Sequence, residues 1–368
     1  MFEIWRAGGS KTTTSAEAAR AVEAEGWDGQ MFMDSQSLSA DPYVQMGAWA
    51  MATERLKLST GVTNPYTRHV AVTAASVATL GVISNGRAVC GIGRGDSALA
   101  YLGLQPVGLP AFERYLTDLQ TLLSHGEIGF GERTDDARSL DSLSLGARPD
   151  TTQLRWLSSE LPKVPLDVAA TGPKVIQMAA RIAEQVTFSV GAIVERLDWA
   201  RGLADAARAQ AGLAAGGASY GAQIIVVCTT DAEKAIEMAM RSCAPLARFQ
   251  VIQGKAAGPA NPIDAQNFDA IRKGYDMTKH SSLTDSKKII GEQITPEFAR
   301  RFAVVGDPDH CYERLLELAG CGLERFVVVG PGFYPESWGE NRRLFAREVL
   351  PALQKAFAVG QHLQAEPA

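Results

Sequence analysis

The chain has 368 residues, 46% of them hydrophobic and 21% charged, an ordinary composition for a protein that buries a sizeable core. A formal net charge of −5 without a Lys/Arg-rich run argues against nucleic acid or an anionic membrane as the main partner, and leaves a small molecule. The start MFEIWRAGG lacks the basic region and apolar core of a signal peptide, and no apolar run approaches the roughly 20 residues that span a bilayer, so the expected compartment is the cytoplasm.

Residues 2–5 read as a first strand, and residues 15–25 as a helix capped by Ser15 and closed by Gly26. Residues 31–33 resemble a buried strand ending in Asp34-Ser35-Gln36, after which Asp41-Pro42 starts a helix with proline at its favoured first position. Residues 56–62 are β-capable, and the polar turn around Pro65 prevents their extension. From His69 to Ile83, Val70, Ala74, Val77, Ala78 and Leu80 recur at near-helical spacing until Ser84-Asn85-Gly86, and residues 87–92 form the next strand. A βαβ unit of this length crosses over right-handedly and makes its strands parallel, so the loops after both strands open at one end of the sheet, where α/β proteins place their sites.

Gly61 ends the third strand, and Gly91, Gly93 and Gly95 alternate through the end of the fourth. Glycines there let a flat ligand approach the main chain without meeting a Cβ, although the same residues also serve ordinary loops. Asp96 adds a carboxylate just beyond them; its other reading is the N-cap of a helix beginning Ser97-Ala98-Leu99.

The run TGVTNPYTRHVAVTAASVATL, followed by SNGRAVCGIGRGDSAL, resembles the corresponding segment of the luciferase-like flavin and deazaflavin oxidoreductases, particularly the branch containing methylenetetrahydromethanopterin reductase.

Residues 111–124 carry Phe112, Tyr115, Leu116, Leu119, Leu122 and Leu123 at helical spacing, with Gly126 as a stop. Residues 127–163 lose the pattern and read as an excursion on the substrate side. A strand over 165–170, the turn Thr171-Gly172-Pro173-Lys174 and a helix to Glu184 follow. Next come a strand over 186–190, an amphipathic helix over 195–211, a β-branched strand over 223–228, and a helix from Asp231 towards Arg248. Residues 253–295 form a second irregular stretch, readable as a lid or as a plain surface insertion. With 302–305 taken as a loop, Gly306-Asp307-Pro308 starts a helix that ends at Cys321-Gly322; residues 325–329 are the last strand, and a terminal helix begins near Glu336.

Eight strands alternating with helices predict a TIM (β/α)8 barrel with insertions after the fourth and seventh βα units. The expected organisation is one domain over residues 1–358, with insertions at about 127–163 and 253–298 and a tail at 359–368. A doubly wound sheet is the alternative, but its GxGxxG fingerprint is missing near Trp5. The cysteines Cys90, Cys228, Cys243, Cys311 and Cys321 are scattered, without CxxC spacing, and fit reduced buried thiols. Asp307-Pro308-Asp309-His310-Cys311 holds ligand-type residues but reads as an acidic helix start, so no metal is expected.

In a barrel the strand ends near Gly8, Asp34, Gly61, Gly91, Ala170, Val190 and Gly330 share one mouth. Backbone N–H groups of Gly172, Lys174 and Val175 at a helix start, with the Lys174 ammonium, can hold a phosphate; a proline-started helix with a surface lysine is the plain reading. The resemblance favours the phosphate, because AxGPK is similar to a segment that holds the cofactor phosphate in related reductases. It also implies a non-proline cis peptide at Gly61-Val62, and cofactor contacts at Gly61, Val62, Asn64, Gly91, Gly93, Thr171, Gly172, Lys174 and Val175.

For catalysis the resemblance points to Asp96 as proton donor or substrate contact and to Asp34 in the segment where some deazaflavin dehydrogenases carry a catalytic histidine; His69 either contacts the cofactor or simply begins the helix after Arg68. This chain has Ser35 at that histidine's place, which weakens a sugar-phosphate or alcohol dehydrogenase reading. The implied function is an oxidoreductase using a reduced flavin-type cofactor on a small organic substrate. A two-component monooxygenase using reduced FMN, supplied by a separate flavin reductase, is preferred over hydride transfer from the deazaflavin coenzyme F-420. A non-catalytic flavin-binding barrel and a lysine aldolase, for which Lys57 is the only strand-interior candidate, stay open. A homodimer is expected.

Overall fold

The computed structural model describes residues 1–9, 15–130, 142, 144–280, 294–330 and 335–360. Its strands in chain order are β1 (Glu3–Gly8), β2 (Gly29–Phe32), β3 (Lys57–Thr60), β4 (Ala88–Ile92), β5 (Ile128–Gly129), β6 (Thr151–Thr152), β7 (Leu166–Ala170), β8 (Gln185–Phe188), β9 (Ser219–Cys228), β10 (Val304–Gly306) and β11 (Arg325–Val329). Eight of them, β1, β2, β3, β4, β7, β8, β9 and β11, pair in parallel around a ring that closes where Glu3 meets Arg325. These are the eight strands read from the sequence, and the fold is a TIM barrel.

Alternation along the strands separates two cores. Ile4, Phe32, Cys90 and Phe326 face outward and pack under the helices, whereas Trp5, Met31, Val89 and Val327 form a separate cluster inside the ring. Gly29 makes room for that interior, since a Cβ there would stand 2.3 Å from the Trp5 ring. Below the cluster Arg325 pairs with Asp167 at 3.0 Å and donates to Gln185 and Thr187. The Lys57 ammonium, at the N-terminal start of β3, pairs with Glu3. Lys57 therefore lies at the end away from the mouth, and the aldolase reading loses its candidate.

The first insertion differs from expectation in its place. It leaves helix Leu109–Leu123 after that helix has returned the chain to the strand-start end, and it re-enters the barrel at β7. Gln153 donates to the His125 carbonyl, and Leu157, Leu161 and Pro162 share a cavity with Asn85 and Gly86, just before β4. Its described residues pack beneath the barrel rather than on the substrate side, as an αβ connection does, and they include the short antiparallel strands β5 and β6. Residues 131–141 and 143 lie outside the described residues.

The second insertion does reach the mouth, and it starts earlier than expected. Helix Ala232–Ala247, read as the outer helix of the seventh unit, joins helices Pro262–Gly274 and Pro296–Phe302 in a core of their own with Ile225 and Val227 from the end of β9. Helix Pro308–Ala319 is the outer helix instead, its Cys311, Leu315 and Leu318 buried in the barrel's outer core. The residues taken as a loop at 302–305 include part of β10, which pairs with the projecting end of β9 from Val304↔Val226 to Gly306↔Cys228. Within the stretch read as irregular, Asn261 and Asp264 form a capping box for helix Pro262–Gly274. The part of that stretch at 281–293 lies outside the described residues. Among the described residues no helix is long and apolar enough to cross a membrane.

Candidate active site at the barrel mouth

β3 and β4 keep register at Leu58↔Ala88 and Ser59↔Val89, but the next bridge joins Thr63 to Ile92 where unbroken register would bring Gly93. The chain after β3 thus holds one extra residue, a β-bulge aimed at the mouth. Its Gly61–Val62 peptide is cis, at the pair the resemblance implies. Thr60 donates its hydroxyl to the Gly91 carbonyl at 2.6 Å, the Thr63 N–H donates to the same oxygen at 2.9 Å, and the Gly93 N–H returns a bond to the Thr63 carbonyl. This approach requires glycine at 91, where a Cβ would lie 1.9 Å from the Thr60 carbonyl oxygen.

Gly93 connects the bulge to the next strand. A Cβ on it would stand 3.0 Å from Val62 Cγ2 and 4.0 Å from Ala169 Cβ. Shortly after Ala169, β7 gives way through Thr171 to helix Pro173–Ile182. Its N-cap, Gly172, is extended (φ −90°, ψ 154°) and provides no side-chain cap bond. The first-turn N–H groups of Lys174 and Val175 are thus left without a side-chain acceptor, the space where a Gly172 Cβ would sit is open, and Lys174 is exposed. A flat ring against the bulge, with its phosphate at this helix start, fits these features.

Asp34 is 6% exposed and accepts the Thr63 hydroxyl at 2.7 Å, so it is tied to the residue directly after the bulge. Burial raises its carboxyl above the ordinary aspartate range, against the Thr63 bond and the charge of Arg68, which itself pairs with Asp41 at 2.6 Å. Asn64 shapes the same loop by accepting the N–H groups of Tyr66 and Thr67 at 3.0 and 3.1 Å, while its buried Nδ2 has no partner. His69 is exposed, and its Nδ1 accepts the Ala71 N–H at 3.2 Å; it caps helix Val70–Ile83, which supports the helix-start reading.

Asp96 makes no side-chain cap bond to the four-residue helix after it. Its carboxylate pairs instead with Arg248, whose guanidinium lies over the rings of Phe249 and Tyr275 at 4.6 and 5.3 Å. Further bonds pin the helical insertion across the mouth. Gln250 donates to the Ser189 carbonyl at 2.5 Å, Arg196 donates to Gln250, Ala257 and Pro259, and Tyr101 donates to the Met277 carbonyl. Sequence reasoning misses Arg196, Arg248 and Gln250; the last two leave a slight signal, two long polar side chains after Pro245 where the apolar helix face ends, and Arg196 leaves none. The Cys90 thiol, 0% exposed, is pushed by burial up to about 12, and Asp307 caps its helix by accepting the His310 N–H at 2.9 Å.

Residues 4–325 match the model of the luciferase-like monooxygenase family. A 5,10-methylenetetrahydromethanopterin reductase of Methanolobus tindarius is 26% identical over 317 residues, 86% of this chain and 90% of that protein. An F420-dependent glucose-6-phosphate dehydrogenase of Microbacterium testaceum is 27% identical over 322 residues, 85% and 83% of the two chains. Among solved structures, the coenzyme F420 dependent tetrahydromethanopterin reductase from Methanopyrus kandleri superposes with a TM-score of 0.70 at 21% identity, over 96% of this chain and 99% of that one. The FMN complex of the oxygenating constituent of 3,6-diketocamphane monooxygenase from Pseudomonas putida gives 0.63 at 16% identity, over 95% and 98%. The chain belongs to the luciferase-like monooxygenase family and is an oxidoreductase of that kind.

Proposed function

We propose that the chain is a coenzyme F420-dependent hydride-transfer reductase or dehydrogenase for a small organic substrate. This reading rests on the Gly61–Val62 bulge lying against Gly93, which in turn neighbours Ala169, three residues before the uncapped helix start at Gly172. The relatives by sequence add to it, since the Microbacterium testaceum dehydrogenase is F420-dependent and the Methanolobus tindarius protein is a reductase. They reverse the order preferred from the sequence. Use of reduced FMN for oxygenation becomes the second reading, favoured by the FMN complex that shares the fold.

When bound, the deazaflavin supplies the hydride chemistry. The protein's part is to bind, orient and shield. Gly91 lets the bulge close against β4, Gly93 leaves room for Val62, and the N–H groups of Lys174 and Val175, with the Lys174 ammonium, would hold the phosphate. Asp34 stays protonated to a higher pH than an ordinary aspartate and is placed at the bulge to exchange a proton with the substrate. Asp96 serves as a positioning residue: through Arg248 it holds the helical insertion over the mouth and limits water there.

A homodimer accompanies this reading. Helices Pro42–Ala52 and Val70–Ile83 contain no Asp, Glu, Lys or Arg, yet they leave Val44, Met51 and Val72 at least half exposed. Light scattering giving one chain per particle would remove the dimer.

The cofactor is tested by titrating apo-protein in parallel with oxidised and reduced F420 and with oxidised and reduced FMN, following fluorescence. Selective F420 binding with anaerobic hydride transfer is expected. Selective binding of reduced FMN would replace this reading with the second, and binding of neither would end both.

A further inference from the structure

We propose that the protein binds one small inorganic anion of the halide class outside the mouth, between the outer face of the barrel and its C-terminal helix. A cavity of ≈ 20 Å³ lies there, bordered by Arg6 of β1, Cys228 at the end of β9, Val328 of β11, Trp27, and Arg342 and Phe345 near the chain's end. That volume holds one water-sized particle.

Arg6 supplies the reason for an anion. The residue is 9% exposed, and both Nε and Nη1 are buried without a hydrogen-bond partner. The nearest carboxylate oxygen, Glu25 Oε2, is 3.9 Å from Nη1 and already accepts the Trp27 indole N–H at 2.9 Å. The other oxygen of Glu25 is 3.1 Å from Arg342. One carboxylate therefore serves two guanidinium groups. Gln30, the neighbour of Arg6 across β1 and β2, offers no relief, for its Oε1 is buried and unbonded as well.

Burial, and then the charge of Arg342, lowers the pKa of Arg6 to about 10, with Glu25 opposing. Arg6 remains a cation at neutral pH. Two guanidinium groups that share one carboxylate keep a net positive charge, which is costly when buried, and the free donors of Arg6 add to that cost. A water molecule would satisfy the donors and leave the charge; a monatomic anion meets both needs. Apart from Asn341 the rest of the lining is apolar, with Val226, Trp27, Val328 and Phe345 in it, and disfavours the strongly hydrated sulfate and phosphate.

The test uses the full chain crystallised with sodium bromide, with anomalous data collected at the bromine edge. An anomalous peak between Arg6 and Arg342 is expected, and water density with no such peak would overturn the site. In solution, chloride or bromide should raise the Tm by about 2–4 °C over gluconate at equal ionic strength. Arg6→Met should abolish that difference, and equal melting of the wild-type protein in all three salts would also refute the proposal. Should Arg6→Met fail to fold, the bromide crystal of the wild-type chain decides.

Discussion

Asp96 and Arg248 are paired across the barrel mouth although 152 residues separate them in the chain. Their side chains are 16% and 6% exposed, so the pair is largely withdrawn from water. It joins the loop after β4 to the helical insertion that follows β9, and this contact converts an insertion into a cover.

Removing one member of a withdrawn pair leaves the other charge without compensation. Asp96→Asn should lower stability by about 3 kcal/mol in urea denaturation, and Arg248→Met should do the same by leaving the carboxylate. The double variant should lose much less than the sum of the two. Additive losses in this cycle would mean that the pairing contributes nothing. Turnover should fall in both single variants through a looser cover, with KM affected at least as much as kcat.

Asp34 gives a pH dependence whose sign follows from its raised pKa. The folded state retains this proton to higher pH than the unfolded state, so the contribution of Asp34 is fully present below the ordinary aspartate range near 3.8 and is lost as pH rises through the folded value. Above that value the burial cost of the charge is constant. Asp34→Asn removes the cost, so urea midpoints of variant and wild type, measured from pH 4 to pH 7, should shift in the variant's favour as pH rises. A difference independent of pH would show that Asp34 ionises like an exposed aspartate. Turnover of the variant should be low at every pH.

Gly91 tests the bulge. A methyl group there would lie 1.9 Å from a backbone oxygen of Thr60, an atom that cannot swing aside. Gly91→Ala should cost about 1–3 kcal/mol or more in stability and should weaken cofactor binding, because the turn that shapes the slot must shift. A variant with unchanged melting and affinity would show that the bulge moves freely.

How far the chain could be read beforehand depended on the range of the interactions. The eight strands were legible because runs such as Phe326-Val327-Val328-Val329 are apolar on both faces and bounded by turns. Caps at Ser15, Asp41 and Asp231 were legible because each bonds within three residues of itself. The cis pair at Gly61–Val62 came from a family likeness, since its local residues show only a strand ending in glycine. The side of the first insertion cannot be read from its low regularity; it follows from the preceding helix, which has already returned the chain to the far end. Helix Ala232–Ala247 has the amphipathic pattern of any outer helix, and only its three-dimensional partners, among them Phe298 and Phe302, show that it belongs to the cover. The Asp96–Arg248 pair left no mark in either local sequence.

The helix start at Gly172 permits a test in which stability and binding move in opposite directions. A Cβ on Gly172 meets nothing within 4 Å, and the residue's extended backbone suits an aspartate N-cap. In Gly172→Asp the new carboxylate should accept the first-turn N–H groups and raise stability by a few tenths of a kcal/mol. The same carboxylate would occupy and repel the phosphate position, so cofactor affinity should fall by roughly tenfold or more. Lys174→Ala removes an exposed charge; it should also weaken binding and flatten its salt dependence while leaving melting unchanged. If Gly172→Asp is stabilised as expected yet binds F420 and FMN as wild type does, the phosphate lies elsewhere. If both variants bind weakly while their folds hold, the decisive contact is the helix start, and its distance from the bulge then sets the length of cofactor that the mouth accepts.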